Sequence, residues 1–278
     1  MTGDQKINTL KKIHSGKVRD IYEYDQKKLL IVSSDRISAF DFVFEEEVLG
    51  KGSLLNKMSI FWFKKLKSII KNHYLDIKPD FDQKIIEKSM IVEKTKVLPI
   101  EAIIRGHIAG SAWEEFEKTG NILGNEARSD MRKYDKLDEP IFTPTTKSEK
   151  DENISIDVMR NTIGSELSEK VIDASYKLYA SAYEFAKSKG LIIADTKFEF
   201  GIDDDGKLTL IDEIFTPDCS RFLKTSTIDG ENSETFDKQF FRDFLIKNNW
   251  NQSQIKIPDN IKSQIIERYR LAYEIITN

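Results

Sequence analysis

LIIADTKFEFGIDDDGKLTLIDEI, Leu191 to Ile214, holds two alternating apolar segments joined by Asp203 to Gly206, the pattern of a β-hairpin. Side chains of a strand alternate between faces, so Asp195, Lys197 and Glu199 share one side while Phe198 and Phe200 take the other. A face carrying Asp, Lys and Glu is costly to bury without partners, yet the apolar runs IIAD and LTLID mark this hairpin as central. The turn brings Glu199 and Asp212 near each other. Two such carboxylates suit Mg2+, a hard cation that takes few protein ligands and completes its shell with water and phosphate oxygens. The competing reading is an exposed hairpin face laced with ion pairs, which contribute little.

Upstream, the first hundred residues alternate short apolar runs with turn signals. KLLIVSS at Lys28 to Ser34 and SMIVEKT at Ser89 to Thr95 read as strands. Between them Leu54, Met58, Phe61, Trp62, Leu66 and Ile69 recur at helical spacing and predict a packed helix from Leu54 to Ile70. After Pro99 the chain changes character, with a polar stretch from Gly120 to Ile154 that includes the loop-like FTPTTKSEKDEN. A lobe boundary is therefore expected near residue 98, between a strand-rich part (1–98) and a mixed part (99–278). In the second part a helix is expected from about Ser168 to Ser188, closed by Gly190. Its core side is Val171, Ala174, Leu178, Ala182 and Phe185. Two more helices are expected near Ser233 to Asn248 and Asp259 to Thr277. The expected fold class is α+β, in two lobes.

The 278 residues, 39% hydrophobic, suffice for sizeable cores. Lys and Arg number 43 against 47 Asp and Glu, a net charge of -4, which gives no general pull toward nucleic acid or anionic membrane. An anionic ligand needs a local basic cluster. Cys219 is the single cysteine, so an intramolecular disulfide is excluded and a reducing, cytoplasmic setting is expected. The opening MTGDQKINTLKK lacks an apolar signal core, and no stretch approaches the roughly 20 apolar residues of a membrane span. Small molecules are the expected partners, with the choice between monomer and homo-oligomer left open.

Other clusters could carry chemistry. Gly16 and Lys17 sit in a turn between two strands, where backbone amides and a lysine can cover a polyphosphate; a plain hairpin is the commoner meaning of such a pair, and the P-loop arrangement is absent. SSDRISAFD, Ser33 to Asp41, follows a strand directly and offers Asp35, Arg36, Ser38 and Asp41 to a small polar ligand, or simply caps a helix. In LPIEAIIRGHIAGSAWEEF, Arg105 stands near a strand end and Gly110 and Ser111 near a helix start, so a guanidinium, a hydroxyl and free amides can converge on phosphate. The alternative makes Ser111 an N-cap and Arg105 a surface charge. His107 reads as structural or solvent-facing. FTPDCSRF adds Asp218, Ser220 and Arg221, a possible second phosphate clamp, and a Cys219 with no neighbouring base to activate it.

Taken in order, GKVRD, SDRISAFD, LPIEAIIRGHIAGS, FTPTTKSEKDENIS, IADTKFEFG and DEIFTPDCSRF resemble the SAICAR synthetase family, the phosphoribosylaminoimidazole-succinocarboxamide synthases of purine biosynthesis. PIEAIIRGHIAGS and IADTKFEFG match family signatures across nearly their full length. The resemblance runs from Gly16 to about Phe222; the helices beyond add only general similarity. It implies ATP, Mg2+, L-aspartate and carboxyaminoimidazole ribonucleotide as ligands, with SAICAR, ADP and phosphate as products. It also implies a two-lobed fold whose strand-rich ATP-binding lobe is related to kinases and ATP-grasp enzymes.

By the same resemblance Gly16, Lys17, Glu101 and Lys197 bind ATP, with Pro99 to Glu101 as an interlobe hinge along the adenine. Lys17, Lys197 and Asp41 are catalytic, and Glu199 and Asp212 hold the metal. Arg105, Ser111 and Arg221 take the ribonucleotide 5′-phosphate, while Asp35, Arg36, Ser38 and Asp41 shape the substrate pocket. The family loop between Lys147 and Asp151 is compact here. ATP is needed because a carboxylate oxygen is a poor leaving group, and phosphorylation to an acyl phosphate lets the aspartate amine displace phosphate without a protein nucleophile. The rivals are a small-molecule kinase and a catalytically silent nucleotide binder.

Overall fold

The computed structural model describes residues 7, 9–122, 124–147, 152–228, 230 and 233–278. The chain opens with strands β1 (Lys11–Ser15), β2 (Arg19–Glu23) and β3 (Lys28–Ser33), then a small hairpin, β4 (Arg36–Ala39) with β5 (Phe42–Glu47). Helix α1 (Lys51–Lys65) follows, then β6 (Tyr74–Leu75), the short α2 (Gln83–Ile86) and β7 (Ser89–Glu93). The first sheet is antiparallel, in the order β1-β2-β3-β7-β6. Asp25 closes its β2–β3 turn by accepting from the Lys27 N–H at 2.8 Å, a local bond that favours turns.

The second part starts with β8 (Lys96–His107), α3 (Ser111–Thr119) and the short pair β9 (Asn121–Ile122) and β10 (Asn125–Glu126). Next come β11 (Lys136–Thr146), α4 (Ile156–Ile163), α5 (Ser165–Ser188), β12 (Leu191–Ile202), β13 (Leu208–Ile211) and β14 (Ser220–Lys224). Helices α6 (Gln239–Lys247) and α7 (Asp259–Thr277) complete the described elements. The second sheet runs β11-β8-β12-β13, with β14 also paired to β12. No helix among the described residues is long and apolar enough to cross a membrane.

The hairpin expected from Leu191 to Ile214 is β12 with β13, Glu199 standing opposite Ile211. The stripe of α1 is buried as its spacing requires, with Met58, Trp62 and Phe63 in the main core. The helix stops at Lys65 rather than Ile70. A turn with the Ile69 N–H on the Leu66 carbonyl at 3.0 Å carries the apolar spacing onward, so Ile69 and Ile70 still pack on the core. FTPTT, read as loop, is instead the end of β11, Thr145 lying opposite Glu101 of β8. Its prolines are tolerated because β11 is an edge strand. Within the rest of that motif, residues 148–151 lie outside the described residues. Helix α6 starts at Gln239, later than expected, where the Asp237 carboxylate accepts from the Gln239 N–H.

The switch between sheets falls at Lys94 and Thr95, and Pro99 to Glu101 lies inside β8. One core cluster nevertheless joins Ile31, Met58, Met90 and Val92 to Phe198, Phe200 and Phe222. A second cluster packs Ile37, Phe44 and Leu55 against Phe241, Leu245, Ile265 and Tyr269, so α7 folds back onto α1.

Candidate active site

The polar face of β12 is the floor of a cleft of about 1010 Å³. Register decides what shares that face. Asp195 pairs with Arg105 of β8, Lys197 with Ile103 and Glu199 with Glu101, so five ionisable side chains project to one side while Phe198, Phe200, Ala102 and Ile104 are buried on the other. The first sheet supplies the apolar end of the cleft, from Ile21, Leu29, Ile31 and Val92, with Val97 of β8 beside them.

At the centre, lysines and carboxylates alternate. The Lys197 ammonium donates to Glu101 Oε1 at 2.5 Å and lies 3.8 Å from Glu199; Lys147 donates to Glu199. Arg19 of β2 crosses from the other sheet to Asp212 at 2.7 Å and Glu213 at 2.6 Å. Burial opposes the charged form of Lys197, but Glu101 and Glu199 outweigh it and hold its pKa above that of an ordinary lysine. Burial likewise works against ionised Glu199, yet Lys197 and Lys147 keep its carboxyl below the usual range. At Asp212 burial, with Glu199 and Glu213 alongside, outweighs Arg19 and pushes the carboxyl up to about 7. No group of three or more His, Cys, Asp or Glu suited to a metal occurs among the described residues. The carboxylates of Glu199 and Asp212 nonetheless fit the donor set of Mg2+, which takes one or two such ligands together with water or phosphate oxygens.

The other end of the cleft gathers arginines and lysines among carboxylates. Arg105 and Arg221 both engage Asp195, and Arg105 also donates to Thr143 Oγ1 at 3.2 Å and Ser111 Oγ at 3.3 Å. Arg221, Gly110 and Ser111 line the cleft; Arg105, 4% exposed, stands behind them. Gly110 is needed twice over: its φ is +54, and a Cβ there would stand 2.4 Å from Arg221 Nη2. Lys238, just before α6, and Arg242 of α6 line the same end. Lys238 Nζ lies 3.2 Å from Asp218, which also accepts from Lys51 at 2.8 Å and from the Tyr269 hydroxyl at 2.7 Å. Burial outweighs Asp218 and lowers Lys238 to about 8. Arg242 makes no side-chain ion pair among the described residues.

The remaining sequence-derived candidates are placed as follows. Gly16 and Lys17 overhang the cleft, with Lys17 paired to Asp41. Ser38 lines it too, 3.4 Å from Lys238 Nζ. Asp35 and Arg36 do not reach the lining: Asp35 accepts from the Gly52 N–H at the start of α1 at 2.8 Å, and Arg36 ties Asp20, Ser34 and the Gly16 carbonyl together. His107 is buried between the Tyr134 carbonyl and the Tyr183 hydroxyl. Burial pushes the Cys219 thiol up to about 12, which keeps it an inert group beside Thr216.

Sequence reasoning missed Arg19, His73, Lys51, Lys238 and Arg242. Arg19 stands two residues from Lys17, and Lys238, the residue before α6, stands four from Arg242. Those spacings were the available signals.

A cleft between two sheets that sets a lysine-carboxylate centre beside an arginine-serine cluster defines an α+β enzyme for small anionic ligands. The family model for SAICAR synthetase matches residues 12–257, and the chain belongs to that family. It is 45% identical to a phosphoribosylaminoimidazole-succinocarboxamide synthase of Neisseria meningitidis over 96% of this chain and 98% of the relative. The homologue in Chromobacterium violaceum is 41% identical, over 96% and 99%. Among solved structures, SAICAR synthase from Saccharomyces cerevisiae complexed with SAICAR superposes with a TM-score of 0.87 at 42% identity, covering 96% of this chain and 95% of that one. A type-2 SAICAR synthetase in complex with ADP gives 0.74 at 26% identity, over 95% and 97%. The chain is thus a ligase of purine biosynthesis, performing the family's ATP-dependent condensation of L-aspartate with carboxyaminoimidazole ribonucleotide.

Proposed function

We propose that the ligands divide the cleft as its chemistry divides. The adenine of ATP lies in the apolar end, with its phosphates under Gly16 and Lys17 and against Lys197, and Glu101 orients Lys197 toward them. Glu199 and Asp212 hold Mg2+, which supplies charge neutralisation for the phosphates. Arg221 and Ser111, backed by Arg105, take the 5′-phosphate of the imidazole ribonucleotide. Lys238 and Arg242 supply positive charge for the carboxylates of L-aspartate. Ser38 and Asp41 border the substrate, while Asp35 and Arg36 support their hairpin from behind.

In this arrangement the imidazole carboxylate oxygen attacks the γ-phosphorus and ADP departs. The aspartate amine then attacks the acyl carbon, and phosphate leaves. Lys17 and Lys197 balance charge on the transferred group. The observation that carries this reading is one continuous cleft holding both the lysine-carboxylate centre and the Arg221–Ser111 anion site. The test is ATP turnover with each substrate omitted in turn. Turnover that needs both the ribonucleotide and aspartate is expected; turnover without aspartate would indicate a kinase, and none at all a nucleotide binder.

A further inference from the structure

The turn between β4 and β5 carries a residue that its backbone does not favour. Ala39 pairs with Phe42, so Phe40 and Asp41 form a two-residue turn, and their φ values are 51 and 62. Positive φ at both central positions suits asparagine and glycine and costs a bulky residue energy. Strain of this kind clusters at functional sites. Burial does not offset it here, since Phe40 stays 43% exposed.

Phe40 lines the cleft between two neighbours that are fastened to its different parts. Asp41 pairs with Lys17, where the ATP phosphates are assigned, and Ser38 stands 3.4 Å from Lys238 Nζ, at the end assigned to aspartate. The tip of the turn therefore stands where those two parts meet, which is where the acyl phosphate forms and the amine must reach it. A second apolar side chain comes from α6. Ile246, 62% exposed, lines the cleft four residues after Arg242 on the same helix face. The hairpin and the chain beyond α6 are joined: Trp250 stacks on Phe40 with ring centroids 6.2 Å apart. The Gln254 amide donates to the Val43 carbonyl and accepts from the Glu45 N–H, each at 3.0 Å. Apolar surface that stands among charged groups is stabilised when a ligand covers it and displaces its water.

We propose that Phe40 and Ile246 form an apolar rim that keeps water from the acyl phosphate, so that the enzyme selects the aspartate amine over water as nucleophile. The proposal rests on the acyl-phosphate reading of the reaction. The step held off is hydrolysis. A water oxygen bonds to the acyl carbon, the carbon–oxygen bond to phosphate breaks, and phosphate leaves with the bonding electrons. One water proton passes to phosphate and the other to solvent, so the imidazole carboxylate is regenerated and ATP is consumed without product. Exclusion of water is a general protection of reactive intermediates.

The test counts ADP and condensation product in the same reaction, with all three substrates present, for the wild type, Phe40→Gly, Phe40→Leu and Ile246→Ser. Glycine suits a positive φ, so Phe40→Gly relaxes the turn while it removes the ring. Ile246 is exposed enough that serine should leave the fold intact. The wild type and Phe40→Leu are expected to form about one ADP per product, Phe40→Gly about two or more, and Ile246→Ser a ratio in between. A ratio of about one in either Phe40→Gly or Ile246→Ser overturns the proposal alone, as does a Phe40→Leu ratio as high as that of Phe40→Gly. Excess ADP that persists when the ribonucleotide is left out also overturns it, because water is then attacking ATP itself. Wild-type ATP turnover that does not need aspartate overturns the ligase reading and the proposal with it.

Discussion

Among the described residues Arg105 and Arg221 both form ion pairs with Asp195, while Asp237 acts on Arg221 from further off. The two are not equivalent, since Arg221 lines the cleft and Arg105 stands behind Ser111. Arg221→Ala should raise the KM for the ribonucleotide by roughly ten- to a hundredfold, the loss of one charge-assisted hydrogen bond, with the KM for ATP little changed. Lysine should rescue only in part, because it keeps the charge and loses the fork. Gly110→Ala should produce a similar defect without removing any charged group, since the new Cβ would displace the Arg221 guanidinium. Steady-state kinetics with each substrate varied in turn separates these from an ATP defect. At the proposed metal centre, Glu199→Gln and Asp212→Asn should fold yet lose magnesium-dependent turnover; normal turnover with unaltered magnesium dependence in both would remove that assignment. The alternation DTKFEFG made Lys197 and Glu199 legible in the sequence. Arg19 was not, because its partner Asp212 lies 193 residues away along the chain, beyond any local spacing.

Among elements, the hairpin of β12 and β13 and the helix α7 were legible because periodicity and turn residues coincide there. The edge strand β11 was not. Threonines and prolines score as loop, and only pairing with β8 makes Thr143 and Thr145 a strand that faces Arg105 and Glu101. The start of α1 was also hidden, since its Gly52 amide is served by Asp35 from a distant turn rather than by an adjacent cap. Asp35→Ala should therefore cost stability of about 1 kcal/mol, as for a lost helix cap, and leave the KM of every substrate near wild type. Thermal melts and kinetics on the same variant decide this: an intact melt with a raised ribonucleotide KM would return Asp35 to the substrate pocket.

At the scale of the whole molecule, Asp218 gathers Lys51 from α1, Lys238 beside α6 and Tyr269 from α7 into a buried network. Removing its charge strands two buried ammonium groups, so Asp218→Asn should destabilise the fold by about 3–5 kcal/mol, measurable by denaturant unfolding. Burial opposes the Asp218 charge, but Lys238 and Lys51 outweigh it and hold the carboxyl well below the usual range. A carboxyl depressed in the folded state contributes stability that is present above its unfolded pKa, about 3.9, and is lost as pH falls through the folded value. Acid unfolding of the wild type should thus be steeper below about pH 4 than that of Asp218→Asn, which lacks this contribution.

The same network sets a schedule for biosynthesis. Lys51 leaves the ribosome early, whereas Tyr269 belongs to the last described helix, and at about 5–20 residues per second the intervening stretch takes on the order of ten to forty seconds to make. During that interval the strands of the first sheet can pair, while Lys51 waits for Asp218 and Asp218 for Tyr269. A nascent chain can therefore acquire its nucleotide-facing surface well before the cleft is whole, and consumption of ATP should begin only once the final helix has docked.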